Sequence, residues 1–229
     1  MPVQFLDKGD DFPDTRLAEP EGLLAYGGEI NPERLLKAYP LGIFPWYNEG
    51  QPILWWAPHD RCVLIPDRMH CSKNLRSIIR QGRFEVRMDH AFDKVVQACG
   101  HVGSNRASGT WLNSDLKQSL SDLHDRGFAH SVEAWRNGKL VGGLYGVSLG
   151  GIFFGESMFA AESDASKVCL YHLCQLMIAQ KMDVIDCQIP NDHLMSLGAE
   201  MMERSTFYPL LEVSTKKNTV LGPWKPVSS

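Results

Sequence analysis

The sequence has little that would direct the chain to a membrane. None of its apolar runs approaches the roughly 20 residues of a membrane-spanning helix, and its start, MPVQFLDKGDDFPD, has neither the basic region nor the apolar run of a signal peptide. We therefore expect a cytoplasmic protein that does not bind a membrane. The 229 residues, of which 44% are hydrophobic and 22% charged, are enough for one large domain or for one domain with a small appendage.

The patterns of several common sites are also missing. The six cysteines include no CxxC pair and the eight histidines no HxH or HxxxH pair, so we expect no metal. The sequence contains no P-loop, no GxGxxG loop of the dinucleotide-binding type and no GxSxG elbow. We expect no cofactor, and a nucleophilic cysteine is not favoured because none lies in a recognisable Cys-His arrangement.

Positive charge is scarce overall, since the net charge is −4, but it is concentrated in one segment. A cluster of cations follows a spacing of three and four, which predicts one face of a helix; its members are Lys73, Arg76, Arg80, Arg83 and Arg87. Such a stripe on an acidic protein suggests contact with the phosphates of a nucleic acid. The alternative interpretation is a solvated helix face without a ligand.

The first sixty residues are rich in proline, glycine and aromatic residues, which impose fixed turns rather than long elements. Only NPERLLKAY is typical of a helix, with Asn31 as N-cap and Pro32 at the first helical position. We predict a small N-terminal domain or extended arm over residues 1–60, followed by a second domain over residues 61–229.

The second part predicts a mixed α/β (α+β) fold. A strand FEVRM and two helices lead to three strands of a meander, HSVEAW, KLVGGLYGVSL and IFFGESMFA, the first two joined by an Asn-Gly turn. A long helix, SDASKVCLYHLCQLMIAQK, precedes a short buried strand, DVIDCQ, and FYPLLEV suggests one more strand. This order is typical of an N-acetyltransferase-like (GNAT) sheet, which does not by itself indicate a function.

Three polar residues lie inside predicted apolar strands, where an unpaired polar group is costly. Glu156 lies in IFFGESMF, and Asp186 and Gln188 lie two apart in VIDCQ, which predicts that both side chains share one face of the strand. Two carboxylates and an amide can hold and orient an amine. The structural alternative is that Asp186 caps a helix or pairs with Lys167.

Aromatic residues form a second candidate site. Trp46 and the pair Trp55-Trp56 lie in turn-rich sequence, where no helix or strand periodicity explains their burial. Trp111 and several phenylalanines add to this set. Most aromatic residues belong to the core, but a pocket shaped for a hydrophobic side chain would use the same residues.

Taken together, these motifs resemble one family, the bacterial leucyl/phenylalanyl-tRNA–protein transferases. The ordered set is far more specific than any single piece, and it extends from about Phe12 to Leu211. The matching segments are FPD, GLLAYGGEINPERLLKAY, GIFPWY, ILWWAP, AFDKVVQAC, TWL, LHDRGFAHSVEAW, LVGGLYGVSLGGIFFGESMF, ASK, IDCQ, DHLMSLGA and a final F-x-x-LL.

The resemblance implies a GNAT-like domain with a small N-terminal domain packed on it. It also implies that leucine or phenylalanine, and methionine less well, passes from aminoacyl-tRNA to proteins beginning with Arg or Lys, which marks them for N-end rule degradation. Asp186 and Gln188 match the family's catalytic positions, and Glu156 matches a residue that holds the acceptor. The matching aminoacyl pocket consists of Trp46, Trp111, Leu144, Phe153, Met158, Leu173 and Met177. The family often has methionine at the position of Leu144 and, in some members, aromatics at those of Leu173 and Met177.

The mechanism that we expect needs orientation more than chemical activation, because the ester of aminoacyl-tRNA is already reactive. We hypothesise that the Gln188 carbonyl accepts a hydrogen bond from the acceptor amine while Asp186 fixes the amide. We expect a monomer, with the cations from Lys73 to Arg87 on the tRNA backbone. Three alternatives remain: an acetyl-CoA-dependent N-acetyltransferase, an aminoacyl-tRNA-dependent enzyme of peptidoglycan bridges, and a non-catalytic tRNA-binding module.

Overall fold

A computed structural model describes residues 3–101 and 113–227. The strands of these residues are β1 (Gln4–Leu6), β2 (Leu23–Gly27), β3 (Phe44–Pro45), β4 (Leu54–Trp56), β5 (Arg61–Leu64), β6 (Glu85–Met88), β7 (Ala129–Arg136), β8 (Lys139–Leu149), β9 (Ile152–Ala160), β10 (Val184–Gln188) and β11 (Glu200–Met202). The helices are α1 (Pro32–Ala38), α2 (Lys73–Arg80), α3 (Phe92–His101), α4 (Ser114–Asp125), α5 (Ala165–Ala179), α6 (Asp192–Ser196) and α7 (Arg204–Thr215). In this part of the chain no helix is long and apolar enough to cross a membrane.

The N-terminal strands form a four-stranded sheet of order β1-β2-β4-β3. Helix α1 lies between β2 and β3 along the chain and begins as the sequence predicts. The Asn31 side chain accepts the backbone N–H of Arg34 at 2.8 Å, and Pro32 occupies the first helical position. A 3₁₀ turn, Tyr39–Leu41, then carries the chain into β3.

The second sheet has seven strands in the order β11-β5-β10-β9-β8-β7-β6. Strands β7, β8 and β9 form the predicted antiparallel meander, and Asn137 and Gly138 adopt the positive φ angles, 49° and 72°, that a tight hairpin turn of this sequence needs. Helix α5 carries the chain from β9 to β10, which pairs parallel to β9. The prediction of a mixed α/β fold is therefore confirmed.

The second sheet buries both of its faces. On one face, Tyr39, Phe44 and Trp55 of the N-terminal part lie in the same buried cluster as Tyr145 and Phe154 of the sheet. On the other face, α5 and α2 cover a second buried cluster, in which a row of apolar residues from α5 contacts the sheet. The N-terminal sheet thus packs directly against the strands that carry the candidate site residues.

Two predictions of secondary structure were wrong. The basic helix ends at Arg80, since Gly82 follows the C-cap with a φ of 60°, so Arg83 lies in the segment that connects α2 to β6 and Arg87 lies in β6. The segment FYPLLEV belongs to α7 rather than to a strand. Its buried residues Phe207, Leu211 and Ser214 recur with helical spacing, and this packing outweighs the presence of proline inside the helix.

Candidate active site

A cleft opens where two parallel strands separate. The register pairs of β9 and β10 end at Phe154 and Asp186, and beyond them the strands enclose a cavity of about 440 Å³. The residues just past the last pair, Glu156 on β9 and Gln188 on β10, line this cavity. Since none of the described strands fills the gap, polar groups of both strands can face a ligand.

Both strands are irregular at this level. In the β8–β9 ladder Tyr145 pairs with Ser157 and Gly146 with Gly155, which leaves Glu156 unpaired in a bulge. In the β10–β5 ladder the register shifts between Asp186 and Gln188. Bulges redirect side chains and are common beside active sites.

Glu156 is the centre of a hydrogen-bond cluster. Its Oε1 accepts the Tyr39 hydroxyl at 3.0 Å and the Gln188 side-chain N–H at 2.9 Å. Burial raises the pKa of Glu156 from 4.5 to about 7, although both of these hydrogen bonds act in the opposite direction. The carboxyl group can therefore gain or lose a proton near neutral pH.

Asp186 lies behind the cavity rather than in its wall. It is fully buried, and its two oxygens each accept a hydrogen bond from the Arg61 guanidinium at 2.8 Å. Its Oδ1 also accepts the backbone N–H of Gln188 at 2.9 Å. The alternative pairing with Lys167 is wrong, because Lys167 pairs with Asp164 at 2.8 Å.

The backbone at the end of β10 differs from the regular strand that the sequence predicts. Gln188 has a φ of 63°, in the left-handed region that a non-glycine residue adopts at a cost. Asp186 and Gln188 therefore do not present their side chains on one face of a regular strand. The hydrogen bond from Gln188 N–H to Asp186 stabilises this conformation, which places the Gln188 side chain on the cavity.

The apolar part of the wall contains most of the predicted pocket residues. The cavity lining includes Trp46, Leu144, Phe153, Met158 and Leu173. Phe44, Leu170, Ile185 and Leu194 extend the same wall.

Two further residues predicted for the pocket, Met177 and Trp111, stand apart from this group. Met177 of α5 is fully buried and is not part of the lining, so its place in the pocket stays a prediction. Trp111 lies outside the described residues.

Gly146 of β8 allows a close approach behind this wall. A Cβ atom at this position would lie 2.7 Å from the Phe153 ring and 2.1 Å from the Phe154 carbonyl oxygen. The Phe153 ring therefore rests directly against the backbone of β8. At the mouth, Trp46 is about half exposed, and its backbone carbonyl accepts the Trp56 indole N–H at 2.7 Å.

The five cations predicted to contact tRNA separate into two groups. Lys73, Arg76 and Arg80 are exposed on α2, and within the described part of the chain none of them pairs with a carboxylate. Arg83 lies 3.8 Å from Glu162, and Arg87 binds Glu85 at 2.8 Å. Arg87 also packs over the Trp135 ring. The cations of the first group are the ones that no carboxylate neutralises, although Arg76 Nε donates to the Cys71 carbonyl oxygen at 3.0 Å.

The sequence-based reasoning missed Arg61 and Tyr39. Arg61 directly precedes a short apolar run, residues 62–65, and a cation beside such a run was a signal that a buried acid lies nearby. Tyr39 lies in an aromatic-rich turn that offers no comparable signal.

Among the described residues, no three His, Cys, Asp or Glu side chains form a group that could hold a metal ion.

Comparison with known families identifies the chain. The model described as leucyl/phenylalanyl-tRNA protein transferase matches residues 63–212, and the model of that family's N-terminal domain matches residues 28–59. The chain belongs to this family. The leucyl/phenylalanyl-tRNA–protein transferase of Desulfatibacillum aliphaticivorans is 50% identical over 224 residues, covering 98% of this chain and 96% of the relative. That of Syntrophus aciditrophicus is 49% identical over 224 residues, covering 98% and 94%.

Among solved structures, L-PGS from Bacillus licheniformis aligns with a TM-score of 0.40 and 12% identity, over 73% of this chain and 53% of that one. A likeness of this size does not assign a fold.

Proposed function

We propose that this aminoacyltransferase binds the leucyl or phenylalanyl group of its aminoacyl-tRNA donor in the 440 Å³ cavity and transfers it to the N-terminal amine of a protein that begins with Arg or Lys. The activity itself, transfer of leucine or phenylalanine from tRNA to protein, follows from family membership. The observation that carries the assignment is an apolar cavity with the Glu156–Gln188 pair at its polar edge.

The second sheet is assigned to the N-acetyltransferase-like fold as part of this proposal. In support, a meander is followed by a crossover helix and a parallel strand, and the substrate cavity lies where the parallel pair separates. The division into residues 1–60 and 61–229 is supported by the two separate sheets. Because the N-terminal part supplies Phe44, Pro45 and Trp46 to the cavity, both parts take part in donor binding.

The apolar wall selects the donor by shape. Leu144, Phe153 and Leu173 line the cavity and are almost completely buried, so packing holds them in place as a preformed apolar wall for an aliphatic or aromatic side chain. A β-branched donor such as valine fills the same space less well. A difference of one methylene gives only about 10–200-fold discrimination, so the selection is graded.

Glu156 and Gln188 receive the acceptor. A cationic Arg or Lys side chain beside Glu156 favours the ionised carboxylate, and so lowers a pKa that burial has raised to about 7. Binding of a basic acceptor is thereby coupled to loss of the Glu156 proton. A neutral acceptor residue such as alanine gains no such interaction.

The Gln188 amide orients the attacking amine. Its N–H group donates to Glu156, which leaves Oε1 of the same amide to accept a hydrogen bond from the acceptor α-amine. The amine nitrogen attacks the ester carbonyl carbon, the N–C bond forms and the C–O3′ bond breaks. The 3′-oxygen leaves as a hydroxyl with the amine's proton, directly or through water, since an amide is too weak a base to keep it.

Asp186 acts through Gln188 and not on the substrate. Its oxygens bind the Arg61 guanidinium and the Gln188 backbone N–H, and it does not line the cavity. The hypothesis that Asp186 fixes the Gln188 amide is thus modified: Asp186 holds the backbone of Gln188, and Glu156 holds its amide. Asp186 is a positioning residue in this mechanism.

A transfer assay tests the proposal. The purified protein is incubated with tRNA charged with labelled leucine, phenylalanine or valine, and with peptides that begin with Arg, Lys or Ala. Label from leucine and phenylalanine should appear on the Arg and Lys peptides, and little label should come from valine or reach the Ala peptide. Acetylation from acetyl-CoA with no aminoacyl transfer would overturn the proposal.

Two variants test the roles within the site. Gln188→Ala should lower turnover roughly 100-fold through loss of orientation, with little change in charged-tRNA binding. Glu156→Gln, which keeps the shape of the side chain, should reduce the preference for Arg and Lys over Ala acceptors. Equal loss of donor binding and turnover in Gln188→Ala, or an unchanged acceptor preference in Glu156→Gln, would contradict these assignments.

A further inference from the structure

The last described residues, 218–227, form a segment without helix or strand, which we call the strap. It lies beyond residue 212, where the match to the family model ends. Backbone and side-chain hydrogen bonds hold it against the second sheet. Thr219 Oγ1 accepts the Gly150 N–H at 2.9 Å, and Gly222 donates its N–H to the Gly127 carbonyl oxygen at 3.1 Å. The strap is therefore part of the folded protein and not a loose tail.

A buried Asp–His pair fixes the end of the strap. Asp89 Oδ2 accepts the Trp224 backbone N–H at 2.6 Å and lies 2.9 Å from His130 Nδ1, and both acidic and imidazole groups are buried. Burial lowers the pKa of His130, which favours the neutral ring. Since a Cβ at position 222 would lie 2.9 Å from the His130 ring, only glycine lets the strap approach this closely.

The Trp224 side chain extends from this Asp89–His130 pair towards the cavity. Its ring stacks on His130 with centroids 3.6 Å apart and an interplanar angle of 4°. Its centroid lies 5.8 Å from that of Phe153, which lines the cavity, and its indole N–H donates to the Val220 carbonyl oxygen at 2.9 Å. Trp224 is 4% exposed and is not itself part of the lining.

We propose that Trp224 is a specificity-determining residue that sets the size of the aminoacyl pocket by fixing the position of Phe153. This inference rests on the proposed function, because it takes the cavity as the site of the donor's side chain. The Phe153 ring is confined by the backbone at Gly146 and by the Trp224 ring. Closely packed side chains shift only when a neighbour gives way, so the pocket keeps its size while the strap is in place.

Removal of the Trp224 ring gives Phe153 room to move out of the cavity. A larger pocket accepts a larger donor and contacts a small one less completely. The strap thus determines which aminoacyl groups fit, although no residue of the strap touches the donor.

The test compares kcat/KM for leucyl-, phenylalanyl- and tryptophanyl-tRNA in the full-length protein. In Trp224→Ala, the kcat/KM ratio of tryptophanyl- to leucyl-tRNA should rise about tenfold. Trp224→Leu, which keeps apolar contacts and is the milder change for folding, should shift the ratio in the same direction. The ratio is independent of the fraction of active protein, so partial unfolding does not change it.

Two controls separate pocket size from general loss of stability. Leu221→Ala changes an exposed residue of the same strap and should leave the ratio unchanged. Trp135→Leu removes a buried tryptophan that lies elsewhere in the second sheet and binds Glu133 at 2.8 Å, so it should lower all three rates by one factor. A ratio that stays within twofold of the wild type in a folded Trp224 variant would overturn the inference.

The experiment also separates this inference from the proposed function. If the wild-type protein transfers neither leucine nor phenylalanine, the proposed function fails. If the wild type transfers both and Phe153→Ala changes the donor ratio but the Trp224 variants do not, only the role of Trp224 fails.

Discussion

Arg61 and Asp186, 125 residues apart in sequence, form a buried bidentate ion pair with both N–O distances at 2.8 Å. Arg61 Nη1 also donates to the Gly42 carbonyl oxygen at 3.0 Å, and the guanidinium packs over the rings of Phe44 and Phe207. The pair connects the N-terminal part, β5 and β10 directly behind the cavity. The ion pair also helps to hold Gln188 in position, because Asp186 accepts the Gln188 backbone N–H.

Loss of one partner of this pair should be more harmful than loss of both. Arg61→Met or Asp186→Leu alone leaves a buried charge uncompensated and should lower the free energy of unfolding by about 3–5 kcal/mol. The double variant should lose less than either single variant, and therefore less than their sum. Urea unfolding of the four proteins measures this coupling, and strictly additive losses would show that the two groups do not interact.

The raised pKa of Glu156 should make stability depend on pH. A carboxyl group with a pKa of 4.5 when unfolded and about 7 when folded binds its proton more tightly in the folded protein. Its stabilising contribution is complete below pH 4.5 and is lost as the pH rises through 7, on the order of 2 kcal/mol after allowance for water in the open cavity. Glu156→Gln should remove this part of the pH dependence. If plots of the free energy of unfolding against pH run parallel for variant and wild type between pH 4.5 and 8, the prediction is contradicted.

Tyr39→Phe should raise the pKa of Glu156 above about 7, because the hydrogen bond from the Tyr39 hydroxyl favours the ionised carboxylate. The pH at which transfer to an Arg peptide reaches half its maximum should then move upward. Tyr26→Phe is a matched control, since Tyr26 lies in the same N-terminal sheet but packs against Phe5, away from the cavity. A pH profile of Tyr39→Phe that coincides with that of this control would disprove the effect.

The three unpaired cations of α2 should account for the salt dependence of tRNA binding. Replacement of Lys73, Arg76 and Arg80 by Ala should weaken binding of charged tRNA and make the slope of log K against log salt shallower by roughly 2 to 3. Arg87→Ala should have a smaller effect, since Arg87 is already paired with Glu85. Titrations at several salt concentrations measure both slopes, and equal slopes for the triple variant and wild type would place the tRNA elsewhere.

The sequence indicated the candidate site through polar residues in apolar strands. Glu156, Asp186 and Gln188 were recognised because an acid or amide between buried residues needs a partner, and the structure brings all three into one cluster. The identity of the partners could not be inferred in the same way. Tyr39 meets Glu156 across 117 residues of sequence, a contact that depends on how the two sheets pack.

Local irregularity accounts for most of the remaining differences. The bulge before Gln188 changes the alternation of side chains, so the two-residue spacing from Asp186 did not predict a common face. The cations keep their spacing of three and four residues past Arg80, which predicted a longer helix, but Gly82 ends the helix. For α7, burial of Phe207 and Leu211 with helical spacing prevailed over the strand preference of FYPLLEV.

Tyr39 and Gly42 contribute to the polar cluster, which makes the N-terminal part and the rest of the chain dependent on one another. Without residues 1–60, Glu156 would lose a hydrogen-bond donor and the buried Arg61 an acceptor. A chimera that joins the N-terminal part of one relative to the remaining part of another must therefore match these atoms as well as the apolar contacts. A substitution at the polar cluster in one part therefore restricts which side chains the other part can carry there.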